Sequence, residues 1–95
     1  MTEREQREIL RRNLEAHGGA VELVKLMEEC GELTQAAAKM LAPGKIWGEL
    51  IGHLAEEMAD VEILMEQVRM YIPELREREE TWIQRKLMRM KRMNR

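Results

Sequence analysis

A chain of 95 residues is long enough for one domain and too short for two. Its core must be small, because the chain has 9 Met, 2 Trp, 1 Tyr and no Phe, and we therefore expect oligomerisation. The net charge of −2 argues against a general nucleic-acid binder, and one cysteine excludes both an internal disulfide and a cysteine-rich zinc site. No apolar run approaches membrane-spanning length and the charged start does not resemble a secretion signal, so we expect a cytoplasmic protein that uses no membrane.

Three groups of helix-breaking residues divide the chain into four predicted helices. The breakers are Gly18-Gly19, Ala42-Pro43-Gly44 and Tyr71-Ile72-Pro73. The predicted helices cover roughly Thr2–Ala16, Ala20–Leu41, Ile46–Met70 and a fourth segment that has Pro73 near its first turn. No strand pattern is present. We predict an all-α fold of the four-helix-bundle type, with a central antiparallel hairpin of helices two and three, as a single domain over residues 1–95.

The second predicted helix places an acidic pair beside an apolar stripe. With Glu29 at zero and 100° per residue, Glu32 lies at about −60°. The apolar residues lie between about 20° and about 120°, and they are Leu23, Leu26, Cys30, Leu33, Ala37 and Met40. Glu29 is therefore at the edge of the stripe, and Cys30 is expected in the core.

The third predicted helix repeats this design. With Glu57 at zero, Asp60 lies at about −60° and Glu56 at about −100°, where solvent exposure is expected. The apolar residues surround Glu57, and they are Leu50, Leu54, Met58, Val61, Leu64, Met65 and Val68. Glu57 therefore lies inside the apolar stripe, whereas Glu56 lies outside it.

The two acidic pairs lie at the same level of the predicted hairpin. Counted from the middle of the turn, Glu29 and Glu57 differ by one residue, or about 1.5 Å along the axis. Four carboxylates that converge beside an apolar face repel one another and lose hydration, so they favour a bound cation. Oxygen-only ligands prefer hard ions, which predicts Mg²⁺ or Mn²⁺ rather than zinc. The alternative is that these are ordinary solvated helix acids.

These residues also carry a resemblance to a known family. Glu28-Glu29-Cys30-Gly31-Glu32-Leu33 followed by Glu56-Glu57-Met58-Ala59-Asp60-Val61 resembles the EExxE…ExxD signature of the MazG-like all-α nucleotide pyrophosphohydrolases. The resemblance implies a homodimer or homotetramer that cleaves a nucleoside triphosphate to the monophosphate and pyrophosphate with Mg²⁺. It also implies that the metal ligands are Glu29, Glu32, Glu57 and Asp60. Glu29 is the candidate catalytic base.

Four further residues are candidates for contact with the substrate phosphates. Lys86 and Arg89 on the fourth helix resemble the family's phosphate-binding cations, although basic residues near a helix end also complement its dipole. Lys25 and His53 each lie at about −40° on their helices, beside Glu29 and Glu57. An ion pair for Lys25 and a structural role for His53 are the alternatives.

A different class of function is also open. The run from Arg85 to Arg95 holds basic residues and no acid, which suits a non-catalytic helical interaction or regulatory module with a basic C-terminal helix. The position of Glu57 inside an apolar stripe favours the hydrolase. A di-iron bundle protein is not indicated, because neither His17 nor His53 follows a Glu at the Glu-x-x-His spacing.

Overall fold

Four α-helices make up the computed structural model, which describes residues 1–94. The helices are α1 (Glu3–His17), α2 (Gly19–Lys39), α3 (Trp47–Tyr71) and α4 (Leu75–Met93). No strand occurs within residues 1–94, so the predicted all-α class is confirmed for that part of the chain. Arg95, the last residue of the predicted domain and of the basic run, lies outside the described residues.

The helix boundaries follow from local capping chemistry. The Thr2 hydroxyl accepts a hydrogen bond from the Glu5 backbone N–H at 3.1 Å, which completes the predicted capping box of α1. Gly18 ends α1 with a φ of 85°, a left-handed conformation that residues with a Cβ rarely adopt. The fourth helix begins two residues after Pro73.

The closely packed pair α2 and α3 forms the central hairpin. Residues of α2 that turn away from solvent recur at alternating spacings of four and three, as helices that pack side by side require. They are Glu22, Leu26, Glu29, Leu33 and Ala36, and the C-cap residue Met40 continues the spacing. The buried apolar residues are Ala36 on α2 with Val61, Leu64 and Val68 on α3. This core is small because acids occupy several of its inward positions.

The faces of α2 and α3 that pack against each other are not centred on the predicted apolar stripes. They are centred closer to Glu29 on α2 and to Glu57 on α3. Cys30, expected in the core, is exposed, and Met58 is 53% exposed. The prediction for Cys30 is therefore wrong. Its physical reason is that each apolar stripe is wider than one neighbouring helix can cover, so periodicity alone does not identify the covered half.

Polar side chains hold α1 against the hairpin. Gln67, which has no exposed surface, donates from Nε2 to the Leu10 carbonyl at 2.8 Å and accepts from Asn13 Nδ2 at 2.6 Å. The same Asn13 amide lies 3.4 Å from the buried carboxylate of Glu22. α1 contributes no fully buried residue, so these hydrogen bonds add to the partial burial of Leu10 and Leu14 in fixing its position.

α4 projects from the end of the hairpin. It contributes no buried residue, and its polar links to α3 are an Arg69–Glu79 pair at 2.8 Å and an Arg76–Glu66 pair. Residues 80–94 are all exposed. Within the part of the chain that the structure describes, no helix combines the length and apolar character needed to cross a bilayer.

The start of α2 packs so closely on Tyr71 that only glycine fits at position 19. A Cβ at Gly19 would lie 2.2 Å from the Tyr71 ring, whereas a Cβ at Gly31 would meet nothing within 4 Å. We expect Gly19→Ala to lower the free energy of unfolding by about 1–3 kcal/mol, because the ring must move. Gly31→Ala should raise it by about 0.5–1 kcal/mol, because glycine is a poor helix former. Chemical denaturation of both variants measures the difference, and equal stabilisation by both would contradict the packing.

Candidate metal centre

Three of the four predicted acidic ligands come together between the hairpin helices. Glu29 of α2 and Glu57 and Asp60 of α3 each offer a carboxylate oxygen, and these oxygens all lie within 4.8 Å of one another. Among residues 1–94, this is the one group of three or more histidine, cysteine, aspartate or glutamate side chains arranged in this way. We call Glu29, Glu57 and Asp60 the acidic cluster.

The cluster is partly removed from water, and its hydrogen bonding is incomplete. Glu57 is 6% exposed, whereas its neighbour Glu56 is exposed, as their different angles on the helix predict. The Oε2 atoms of both Glu29 and Glu57 are buried and have no hydrogen-bond partner. A buried carboxylate oxygen without a donor is costly, so each atom requires a proton or a cation.

The surroundings of Glu29 favour its protonated form. They raise the pKa of Glu29 to about 7, and burial is the largest cause. The negative charge of Glu32, hydrogen bonding with Glu57, and the charges of Asp60 and Glu57 act in the same direction. Without a cation, the cluster therefore holds a proton near neutral pH that an ordinary glutamate would release.

The donor set fits a hard divalent cation. All the converging atoms are carboxylate oxygens, which Mg²⁺ and Mn²⁺ prefer and which zinc uses less often than histidine or cysteine. The two buried Oε2 atoms have unused lone pairs. Such an ion would neutralise the repulsion that raises the pKa of Glu29.

Glu32, the fourth predicted ligand, lies outside the cluster. It is exposed, three residues after Glu29 on α2, although its charge is among the main causes of the raised pKa of Glu29. The structure therefore places Glu32 at the solvent-facing edge of the cluster. From there Glu32 could bind a metal ion in the cluster only if its flexible side chain turned toward the other carboxylates.

The predicted phosphate-binding residues fall into two groups. Lys25 and His53 are half-buried and lie four residues before Glu29 and Glu57, one helical turn from the cluster. Lys86 and Arg89 lie on the projecting half of α4, where they border a shallow surface depression with Met90 and Met93. No salt bridge within residues 1–94 joins any of these four side chains to an acid.

The sequence analysis did not predict that a second acid, Glu22, is buried. Glu22 has no exposed surface, and its Oε1 lies 3.4 Å from both Asn13 Nδ2 and His17 Nδ1. Glu22 lies seven residues before Glu29, two turns along the same face of α2, and this spacing could have predicted its burial. Because its neighbours are amides and an imidazole rather than carboxylates, Glu22 belongs to the contact with α1 and not to the acidic cluster.

Comparisons with protein-family models, with curated proteins and with solved structures find no match to this chain.

We expect Mg²⁺ or Mn²⁺ to raise the thermal unfolding temperature, because the ion binds the folded acidic cluster and not the dispersed carboxylates of the unfolded chain. Glu57→Gln removes one ligand charge and should abolish this increase. Differential scanning fluorimetry with and without metal measures both effects. If Glu57→Gln responds to metal as the parent protein does, Glu57 is not a ligand.

The raised pKa of Glu29 predicts a distinctive pH dependence in the metal-free protein. Between pH 4.5 and about 7 the folded protein retains a proton that the unfolded chain releases, so stability falls as the pH rises through this range. Glu29→Gln should flatten the decline. Denaturation at several pH values in chelator measures it, with Glu28→Gln, an exposed neighbour, as the matched control. If stability still falls with rising pH in Glu29→Gln, a group other than Glu29 causes the fall.

Proposed function

We propose that this protein is an Mg²⁺-dependent nucleotide pyrophosphohydrolase that cleaves a nucleoside or deoxynucleoside triphosphate to the monophosphate and pyrophosphate. The observation that carries the proposal is the acidic cluster, in which carboxylates from two helices converge and two buried oxygens lack partners. A protein that needed only a stable hairpin would be better served by leucine at position 57. The MazG-like resemblance of the two acidic motifs points to the same activity.

The proposed ligands are Glu29, Glu57 and Asp60, with Glu32 able to join them from the edge of the cluster. A bound Mg²⁺ would hold phosphate oxygens and lower the pKa of a water molecule. Held on both hairpin helices, the carboxylates keep their relative positions through the α2–α3 packing, so the site needs little reorganisation before it binds a cation.

Glu29 is the proposed proton acceptor. In the reaction, a water oxygen bonds to either the α- or the β-phosphorus, the bond from that phosphorus to the oxygen of the α–β linkage breaks, and the monophosphate and pyrophosphate separate. The proton of the water passes to the Glu29 carboxylate, which lies beside Glu57 and Asp60 where the activated water would be held.

Lys25 and His53 are the proposed phosphate contacts within the chain. Each lies one turn from an acid of the cluster and is half-buried, so its side chain can reach a group bound there. Lys86 and Arg89 are weaker candidates within one chain, because α4 leaves the hairpin before it reaches them.

The second candidate function is a non-catalytic interaction module. The observation that favours it is the exposed, basic second half of α4, which carries Arg85, Lys86, Arg89, Lys91 and Arg92. Incubation with a panel of nucleotides and Mg²⁺ separates the two candidates. The hydrolase releases monophosphate and pyrophosphate in equal amounts, and the module leaves every nucleotide intact.

The adjacent residues Glu56 and Glu57 provide a matched test of the mechanism. Glu57→Gln preserves the shape of a buried ligand and removes its charge, so we expect hydrolysis to fall by orders of magnitude while helicity persists. Glu56→Gln changes an exposed side chain and should alter the rate by less than about twofold. Steady-state assays and circular dichroism measure both. Equal small effects would exclude the acidic cluster as the catalytic site.

A further inference from the structure

An imidazole and a buried carboxylate meet where α1 ends and α2 begins. His17 is the last residue of α1, and Glu22 lies in the first turn of α2. Gly18 makes the turn between the two helices with its φ of 85°, and its carbonyl accepts a hydrogen bond from the Glu22 backbone N–H at 3.3 Å. This turn brings His17 Nδ1 to 3.4 Å from Glu22 Oε1. We call His17 and Glu22 the histidine–glutamate pair.

The carboxylate of Glu22 lacks sufficient partners for its charge. The side chain has no exposed surface, its Oε2 is buried without a hydrogen-bond partner, and its Oε1 receives one long contact from Asn13 Nδ2 at 3.4 Å. Within residues 1–94 no lysine or arginine forms a salt bridge with it. The N-terminal end of α2 favours a negative charge, so the carboxylate is suited to remain ionised and to bind a cation.

The separation of the two side chains fits a shared metal ion. A hydrogen bond from a charged nitrogen to a carboxylate oxygen is about 2.7–2.9 Å long, shorter than the 3.4 Å between His17 Nδ1 and Glu22 Oε1. Bonds of about 2.0–2.2 Å to a tetrahedral ion place a ligand nitrogen and a ligand oxygen about 3.3–3.5 Å apart. In the neutral imidazole with its proton on Nε2, Nδ1 has a free lone pair for such an ion.

The surrounding amides orient Glu22 and are not ligands themselves. The Leu10 carbonyl can only accept, so Gln67 turns Nε2 toward it, and Gln67 Oε1 accepts from Asn13 Nδ2 at 2.6 Å. Asn13 therefore presents its amino group, and not its carbonyl oxygen, toward Glu22. Such a hydrogen bond holds a ligating carboxylate in place.

The donor atoms indicate a different class of cation from that expected at the acidic cluster. One imidazole nitrogen with one carboxylate oxygen suits Zn²⁺ or Co²⁺, whereas Mg²⁺ prefers oxygen ligands alone. The His17 side chain is 42% exposed, so an ion can reach Nδ1 from the solvent and water can complete its coordination.

We propose that the histidine–glutamate pair binds a divalent transition-metal ion of the Zn²⁺ class, which fastens the end of α1 to the start of α2. A tetrahedral ion held by two side chains keeps two positions for water. Glu22 lies about 10.5 Å along α2 from Glu29, so this site and the acidic cluster can be occupied together. The inference does not depend on the proposed hydrolysis.

The test is calorimetric titration of the full chain, free of any histidine tag, with Zn²⁺ in excess Mg²⁺, which competes for the acidic cluster. His17→Gln and Glu22→Gln should each weaken Zn²⁺ binding at least about tenfold, because loss of a residue that merely orients a ligand already costs that much. His53→Gln removes the other histidine of the chain and should leave the affinity within about twofold. Circular dichroism verifies that each variant remains helical.

Two further variants separate this site from other zinc ligands. Cys30→Ser removes the exposed thiol, and Glu57→Gln weakens the acidic cluster, so both should retain the zinc affinity of the parent protein. In nitrogen NMR spectra, Zn²⁺ should shift the Nδ1 resonance of His17 and leave those of His53 in place.

A parent protein that binds no Zn²⁺ in excess Mg²⁺, or a His17→Gln variant that binds it as the parent does, would overturn the proposal. So would an equal loss of affinity in His53→Gln or Cys30→Ser. If Zn²⁺ leaves the nitrogen resonances of His17 unchanged, His17 and Glu22 form only an ion pair and the proposal is wrong.

Discussion

Repulsion among carboxylates inside the α2–α3 contact is the constraint on which the rest of the structure depends. Glu29 and Glu57 occupy inward positions that apolar side chains would normally fill, and each keeps a buried oxygen without a hydrogen-bond partner. The pKa of Glu29 is raised because its charged form is partly buried and lies beside other negative charges. A bound cation would relieve this cost, so the feature that weakens the metal-free hairpin also suits it to a cationic ligand.

The hairpin has two buried polar clusters, which are the contact of Gln67 and Glu22 with α1 and the acidic cluster. Gln67 has its amide paired with Asn13 and with the Leu10 carbonyl, so that cluster satisfies most of its own groups and fixes α1 in place. The acidic cluster contains acceptors and no donor among its ionised carboxylates. Both keep buried oxygens without a partner, Glu22 Oε2 in the first and the Oε2 atoms of Glu29 and Glu57 in the second. Only the second brings several carboxylates together.

The small core and the large uncovered surface have a common origin. Acids occupy the rotated inner faces of the hairpin helices, which moves Cys30 and Met58 outward and leaves few buried apolar residues. The α2–α3 hairpin therefore gains only limited stability from apolar burial.

From the sequence alone, the helix count, the approximate ends of the helices and the contrast between Glu56 and Glu57 could all be predicted. Capping residues, glycine and proline act locally, and a helix places adjacent residues 100° apart whatever surrounds it. The shared level of Glu29 and Glu57 followed from the same regular geometry. Local rules were sufficient for these features.

Only the tertiary structure decided which half of each apolar stripe is covered. Cys30 lost its predicted place in the core, and Glu22 and Gln67 gained buried positions, because α1 packs on one side of the hairpin and α4 projects from its end. Glu32 is exposed although Asp60, at the same angle on α3, is half-buried, and helical periodicity alone does not predict that difference. Periodicity shows how many apolar positions a helix has, but the direction each one faces depends on contacts between segments distant in the chain.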